Sequence, residues 1–240
     1  MGDQWGDNRF GADGPLTSNI QESQIVVRFR CIENRDELEE TFRLRFKVYC
    51  QEKNWLAPSR FPDELEHDLF DSHAEHIIAL NSQQEIVGTL RLIQPRSSDG
   101  YLPIQSVKGV SLRDIQHQKI AQLSRLVLDP EYRIEPVLLG LLRYVFHYTQ
   151  EHHILVLVFN CPAHFCCLLN KSGLSFIELA PNTLINGRDS IPVLCELSTV
   201  LDTIRLTDPH LARWLNDSPE MIKDPTDRVL QTRESLMNIL

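Results

Sequence analysis

A chain of 240 residues with 42% hydrophobic and 24% charged side chains holds enough apolar material for a full core, in one large domain or two small ones. Its net charge of -9 argues against a general nucleic-acid binder, and no apolar run approaches the roughly 20 residues that span a bilayer. The N-terminus is rich in Gly, Asp and Asn and lacks the basic-then-apolar pattern of a secretory signal, so the cytoplasm is the expected compartment.

Residues 1–24 are polar and Gly-rich without periodicity, the pattern of a disordered or loosely ordered arm. Ile25 to Ile32 is a β-branched run and reads as the first strand. Asn34 followed by Glu37 resembles a capping box, and Leu38, Phe42, Phe46 and Tyr49 recur at helical steps, predicting an amphipathic helix to about Trp55. Pro58 and Pro62 punctuate a loop that ends in Glu66, Asp68 and Asp71. His76–Leu80 and Glu85–Ile93 read as a hairpin turning at Asn81–Gln84. A long polar connection over residues 96–118 leads to a strand at Lys119–Leu128, stopped by Asp129 and Pro130.

Pro136 suits the first turn of an apolar helix running to about Gln150. Ile154–Phe159 is a continuous apolar strand of the kind found inside a sheet. A short helix over Ala163–Lys171, closed by Gly173, precedes two last strands at Leu174–Leu179 and Ile191–Leu197. The remainder, residues 199–240, reads as a polar helical tail packed on or near the domain. This order implies a single α/β (α+β) domain over residues 25–198, a mixed central sheet with helices on both faces.

The Glu66, Asp68, Asp71 cluster is costly to assemble, because like charges raise one another's pKa values. A solvated acidic loop is the plain explanation. Phe70 inside the cluster, and Arg45, Arg91 and Arg125 inside apolar segments, favour the alternative that these cations meet the carboxylates in one buried network at the mouth of a cleft. Cys161, His164, Cys166 and Cys167 form the other cluster, but without the paired knuckles of a zinc site; no metal is expected there.

Arg45, Trp55, the Glu66-x-Asp68-x-x-Asp71 cluster, Gly88-x-x-Arg91-Leu92 and Leu123-Ser124-Arg125 together resemble the acyl-homoserine-lactone synthases, within the GNAT acyltransferase fold. They resemble equally the related N-acyl amino acid synthases and the exosortase-associated acyltransferases. The likeness spans residues 25 to about 198, with the motifs in the family's order. It implies transfer of a fatty acyl group from an acyl-carrier-protein thioester to an amine, the acyl-phosphopantetheine being the donor and no cofactor being tightly bound. The stretch after Leu128 agrees with that donor: its single Gly140 lies well inside a helix and cannot form the glycine cradle that grips a CoA pyrophosphate.

The resemblance assigns catalysis to Glu66, Gln122, Leu123 and Arg125, and substrate binding to Arg45, Trp55, Asp68, Asp71, Arg91 and Ser124. A β-bulge near Leu123 is expected, to bring Gln122 and Arg125 to one face and free a backbone N–H for the oxyanion. Gln122 departs from the family's usual Glu and cannot take a proton at neutral pH, so either Glu66 acts as base through water, or the chain uses a different acceptor or has lost activity. An acidic carrier protein calls for a basic patch, for which Arg133, Arg143 and Lys171 are the candidates. The expected partners are thus acyl carrier protein and a small amine or amino acid. Two other readings stay open: a lactone-signal synthase using S-adenosylmethionine, and a non-catalytic GNAT domain that binds an acyl chain or a partner.

Overall fold

The computed structural model of the chain describes residues 26–96, 100–113, 115, 119–163, 165–166, 176–185, 187–216 and 221–222. The expected arm, Lys171, His164, Cys167 and most of the expected helix over residues 163–171 lie outside them. β1 (Val27–Cys31) leads into α1 (Arg35–Phe46), which Asn34 caps by accepting from the Glu37 N–H at 2.9 Å. Glu37 reaches back one residue further than a capping box requires, to the Glu33 N–H at 2.8 Å. α1 does not run on to Trp55 as an α-helix. Lys47–Glu52 is a π-helical turn, with the Lys53 N–H bonding the Val48 carbonyl at 2.9 Å. Such a turn changes the phase of the helix end, and here it carries Tyr49.

β2 (Glu75–Leu80) and β3 (Ile86–Ile93) form the expected hairpin, followed by β4 (Ile120–Leu128), α2 (Glu135–Glu151) and β5 (Val156–Pro162). The last third of the chain departs from expectation. Between β6 (Ile177–Glu178) and β8 (Arg188–Glu196) lies an extra strand, β7 (Thr183–Ile185), paired with β8 through Ile185 and Arg188. Then come α3 (Leu197–Thr207), α4 (Pro209–Asn216) and a short β9 (Met221–Ile222). β9 pairs with β1, so the C-terminal segment returns to the sheet.

The sheet runs β6-β8-β5-β4-β3-β2-β1-β9, with β7 off that path against β8. Its neighbours are antiparallel except β4 and β5. Those two are parallel and paired only from Ile120 with Val156 to Gln122 with Val158. Beyond that point both strands continue unpaired with each other, and the sheet splits into a V. α2 covers one face, packing Val137, Leu138 and Leu141 on Phe29, Leu90 and Ala121. Gly140 allows that approach, since a Cβ there would overlap the Phe29 ring. α1 covers the other face through Leu44 and Val48 on Val127, beside the segment carrying Leu102, Ile104 and Leu112. α3 and α4 pack against the domain: Ile204, Leu211 and Trp214 are buried in the same apolar cluster as α2.

Candidate active site

Three arginines and three carboxylates meet on the α1 face of the sheet. Arg45 is fully buried; its Nε donates to Glu66 Oε2 at 2.5 Å, and its terminal nitrogens grip Asp71 at 2.8 and 3.2 Å. Arg91 forks onto Asp68 at 2.7 and 3.1 Å, touches Asp71 at 2.8 Å, and gives its Nε to Ser124 Oγ at 3.1 Å. Arg125 donates its Nε to both Glu66 oxygens at 3.0 and 3.2 Å and its Nη2 to Asp68 at 3.0 Å. Two-pronged arginine–carboxylate pairing is what offsets the cost of burying Arg45, Arg91, Glu66 and Asp71 and half-burying Arg125 and Asp68. Burial alone would raise the Asp71 carboxyl, but hydrogen bonding to Arg45 overrides it and holds the group well below the usual carboxylate range. Burial likewise opposes, and the Glu66 carboxylate outweighs, in a guanidinium of Arg125 held more firmly protonated than usual.

The bulge lies two residues beyond the expected place. In the β3–β4 ladder Arg91 faces Ser124 and Thr89 faces Val127, so Arg125 and Leu126 together oppose Leu90. Arg125 has φ of +54°, in the left-handed region that costs a side-chain-bearing residue energy. The extra residue brings Arg125 onto the face that Gln122 and Ser124 already occupy, so the expected effect on side-chain direction holds.

The V between β4 and β5 opens into a cavity of about 380 Å³, within the range of about 300–1,000 Å³ typical of small-molecule sites. Leu123, Ser124, Arg125 and Leu126 form one edge; Phe159, Asn160, Cys161 and Pro162 form the other. α2 supplies Leu138, Leu142 and Phe146, and α3 and α4 add Val200, Leu201, Leu211 and Trp214. The wall is therefore mostly apolar, with Tyr49, Ser124, Arg125, Asn160 and Arg188 among its polar members.

Residues 44–143 match the family model described as the acetyltransferase (GNAT) domain. The chain has the GNAT fold. Solved structures with the same fold include the acyl-homoserine lactone synthase BjaI, at 20% identity and a TM-score of 0.60 over 75% of this chain and 89% of that one. The acyl-homoserine lactone synthase LasI matches at 18% identity and 0.58, over 78% of this chain and 95% of that one. FeeM, an N-acyl amino acid synthase from uncultured soil microbes, matches at 18% identity and 0.59, over 78% and 97%. In sequence alone, no curated protein matches the chain significantly.

Within this GNAT domain the site residues expected from sequence divide into three groups. Leu123, Ser124 and Arg125 line the cavity. Arg45, Arg91, Asp68 and Asp71 stand behind it in the network, with Ser124 and Arg125 as the members that reach the cavity wall. Glu66 and Gln122 do not reach it. Both Glu66 oxygens accept from arginines, and the residue is 1% exposed. Gln122 Oε1 accepts from the Ile104 N–H at 2.8 Å, on the sheet face away from α2. Neither side chain has a lone pair placed for an incoming amine, so the general-base role expected for Glu66 finds no support in the geometry. Cys161 borders the cavity, but burial pushes its thiol up and away from thiolate character.

The expected carrier-protein patch is not assembled. Arg143 is 4% exposed, its guanidinium stacked 4.3 Å from the Trp214 ring, so it is a core residue between α2 and α4. Arg133 forks onto Glu52 at 2.6 and 2.5 Å and holds that carboxyl down to about 2. Sequence spacing missed three cavity residues. Tyr49 falls on the apolar face expected of the first helix, and Asn160 lies just past the expected strand Ile154–Phe159. Arg188 lies between the two expected last strands, Leu174–Leu179 and Ile191–Leu197. Only Tyr49 had a sequence signal, the helical spacing that the π-turn then rephases.

Proposed function

We propose that this GNAT domain transfers a fatty acyl group from an acyl-carrier-protein thioester to the amine of an amino acid or similar small amine. The observation that carries the reading is the apolar cavity that opens where β4 and β5 part and ends beside the Arg125 bulge. An acyl chain suits the apolar length, and its thioester carbonyl then lies at the polar end. Beyond Gln122, β4 has no parallel partner to receive the N–H groups that face β5, and these are the donors for the oxyanion, with Arg125 supplying positive charge nearby. The neutral amine attacks the carbonyl carbon, the C–S bond breaks as the phosphopantetheine thiolate leaves, and water carries the proton lost by the nitrogen to that thiolate. Arg45, Arg91, Glu66, Asp68 and Asp71 hold Arg125 and Ser124 in place.

The carrier protein is preferred over CoA as donor because α2 begins poorly for a pyrophosphate. Pro136 removes an amide donor, and the Val137 and Leu138 N–H groups are both turned to the Ile134 carbonyl. Lactone-signal synthesis from S-adenosylmethionine is the second reading, because the fold lies as near to BjaI and LasI as to FeeM.

The test is to incubate the full chain with acyl carrier protein bearing acyl chains of graded length, and in parallel with the matching acyl-CoA. A pool of amino acids and S-adenosylmethionine serves as acceptors, and products are read by mass spectrometry. An acylated amino acid formed from the carrier-bound donor is expected. Product from CoA alone would move the donor assignment, an acyl lactone would move the acceptor, and no acylated amine from either donor would end the transferase reading.

A further inference from the structure

Asn160 lines the cavity, and its buried Oδ1 has no hydrogen-bond partner among the described residues. Buried polar atoms are nearly always paired, so an orphaned acceptor on a cavity wall points to a donor that the ligand brings. β5 stays regularly paired with β8 through this stretch, Phe159 with Val193, Asn160 with Pro192 and Cys161 with Ile191. Side chains therefore alternate, and Asn160 shares the sheet face of Val158, which packs with Leu102 and Ile104. Phe159 takes the opposite face, with the α2 cluster that walls the apolar part of the cavity. The orphan thus stands on the side of the gap away from the acyl chain.

Across the gap stands β4. Continuing the register of Gln122 with Val158 by two residues sets Ser124 opposite Asn160. Ser124 Oγ accepts from Arg91 Nε at 3.1 Å, which leaves its hydroxyl proton to be donated elsewhere. One bank of the gap therefore offers donors, the Ser124 hydroxyl and the β4 N–H groups that have lost a parallel partner, and the other offers an acceptor. A trans amide directs its C=O and its N–H to opposite sides. An amide formed in the gap fits between the banks as the peptide of an intervening strand would, with its carbonyl toward β4 and its N–H toward Asn160 Oδ1.

We propose that Asn160 Oδ1 receives the N–H of the attacking nitrogen, and that the acceptor is therefore a primary amine. This rests on the transferase reading above. A neutral primary amine brings two N–H bonds. As its nitrogen bonds the thioester carbon and the C–S bond breaks, one proton passes through water to the departing thiolate, and the other stays on the nitrogen, held by Asn160. The product is a secondary amide that keeps this bond. A secondary amine, such as proline or an N-methyl amino acid, gives up its only N–H in the same step and leaves Asn160 orphaned again, which selects against it. An amide oxygen does not take the proton at neutral pH, so Asn160 aims the nitrogen without deprotonating it. The phosphopantetheine arm also carries an amide N–H, but the sulfur and an ethylene unit separate it from the reacting carbon, and the experiment tells the two apart.

The experiment uses the full chain as wild type, Asn160→Leu, which removes the acceptor at similar size, and Asn160→Asp, which keeps one. Circular dichroism first establishes folding, and Asn160→Ala replaces Asn160→Leu if the latter is unfolded. Calorimetry compares the N-decanoyl derivatives of glycine, leucine and phenylalanine with the decanoyl esters of the matching 2-hydroxy acids, in which oxygen stands for N–H at nearly the same shape. Wild type should bind the best amide about ten- to a hundredfold tighter than its ester, the scale of one buried acceptor left unpaired. Asn160→Leu should bring that ratio close to one, and Asn160→Asp should keep most of it. In turnover, kcat/KM for an amino acid should exceed that for its N-methyl derivative, and Asn160→Leu should narrow the gap by slowing the primary amine. Equal affinity of amide and ester in wild type, a difference that survives Asn160→Leu, no wild-type binding of any of the amides, or a secondary amine as best acceptor overturns the proposal. So does an Asn160→Leu effect confined to decanoyl-N-acetylcysteamine against the decanoyl thioester of butanethiol, which would give Oδ1 to the arm. Should no amine be acylated, the transferase reading fails, and the amide–ester comparison still decides Asn160.

Discussion

The two sides of β4 solve opposite problems with adjacent residues. On the α1 side, six charges, four of them on buried residues, form a network that satisfies itself: three guanidiniums and three carboxylates with almost every prong engaged. On the α2 side, apolar residues from β4, β5, α2, α3 and α4 surround a space that none of the described residues fills. The first region is expensive to disturb and offers a ligand little. The second tolerates change and is where a ligand fits. Arg125 belongs to both, because a bulge turns it toward the carboxylates while its segment lines the cavity. The comparison teaches that conspicuous charge here marks the frame of the site, and inconspicuous apolar spacing marks the site itself.

The largest effect should come from breaking the frame. Arg45→Ala leaves Glu66 and Asp71 buried with a partner gone, and should cost about 3–5 kcal/mol in urea unfolding, enough to threaten folding. A loss under 1 kcal/mol would show that the network is solvated in solution and would erase the contrast.

Next is pH. His76, 1% exposed beside Asp71, has its folded pKa lowered from 6.5 to about 4, chiefly by burial. The unfolded chain then binds the proton first, so stability is full above pH 6.5 and falls as pH drops towards about 4. That loss should reach about 3 kcal/mol and be absent from His76→Phe. Asp68 and Asp71 are also depressed, and add a further loss below their ordinary 3.8. Thermal unfolding from pH 7.5 to 3 reads both limbs, and a flat profile between 6.5 and 4 would contradict a neutral buried His76.

On the apolar side, two substitutions separate packed from empty space. Gly140→Ala pushes a methyl into the Phe29 ring and should destabilise by about 1–3 kcal/mol. Leu201→Phe enlarges a side chain that faces the cavity and should change stability by less than about 1 kcal/mol. The same substitution should shorten the longest acyl chain accepted in a donor series. Were Leu201→Phe to cost as much as Gly140→Ala, the cavity would not be open space in solution.

The frame was legible in the sequence because arginines embedded in apolar runs need partners, and the acidic cluster was the available source. The β2–β3 hairpin, the continuous apolar β5 and the cap at Asn34 were legible for local reasons, periodicity and turn chemistry. The surroundings of Gln122 and Glu66 were not legible, since they depend on the Ile104 N–H and on two arginines that are distant in the chain. Arg143 and Arg133 look like surface cations in any linear reading. The packing of α4 on α2 buries one, and the π-turn residue Glu52 pairs with the other.

The sequence by itself determined a mixed α/β domain with helices on both faces, the pairing of opposite charges within it, and a donor turn without a glycine cradle. Each follows from residue type and near-neighbour spacing. Tertiary structure alone decided that β4 and β5 part after Gln122, that the bulge falls at Arg125, and that α3 and α4 wall the acyl-sized cavity. It also decided that Arg188 lies on Trp55, 133 positions earlier in the chain. These depend on strand register and on contacts between distant segments, whose free energies arise only once the chain has closed upon itself.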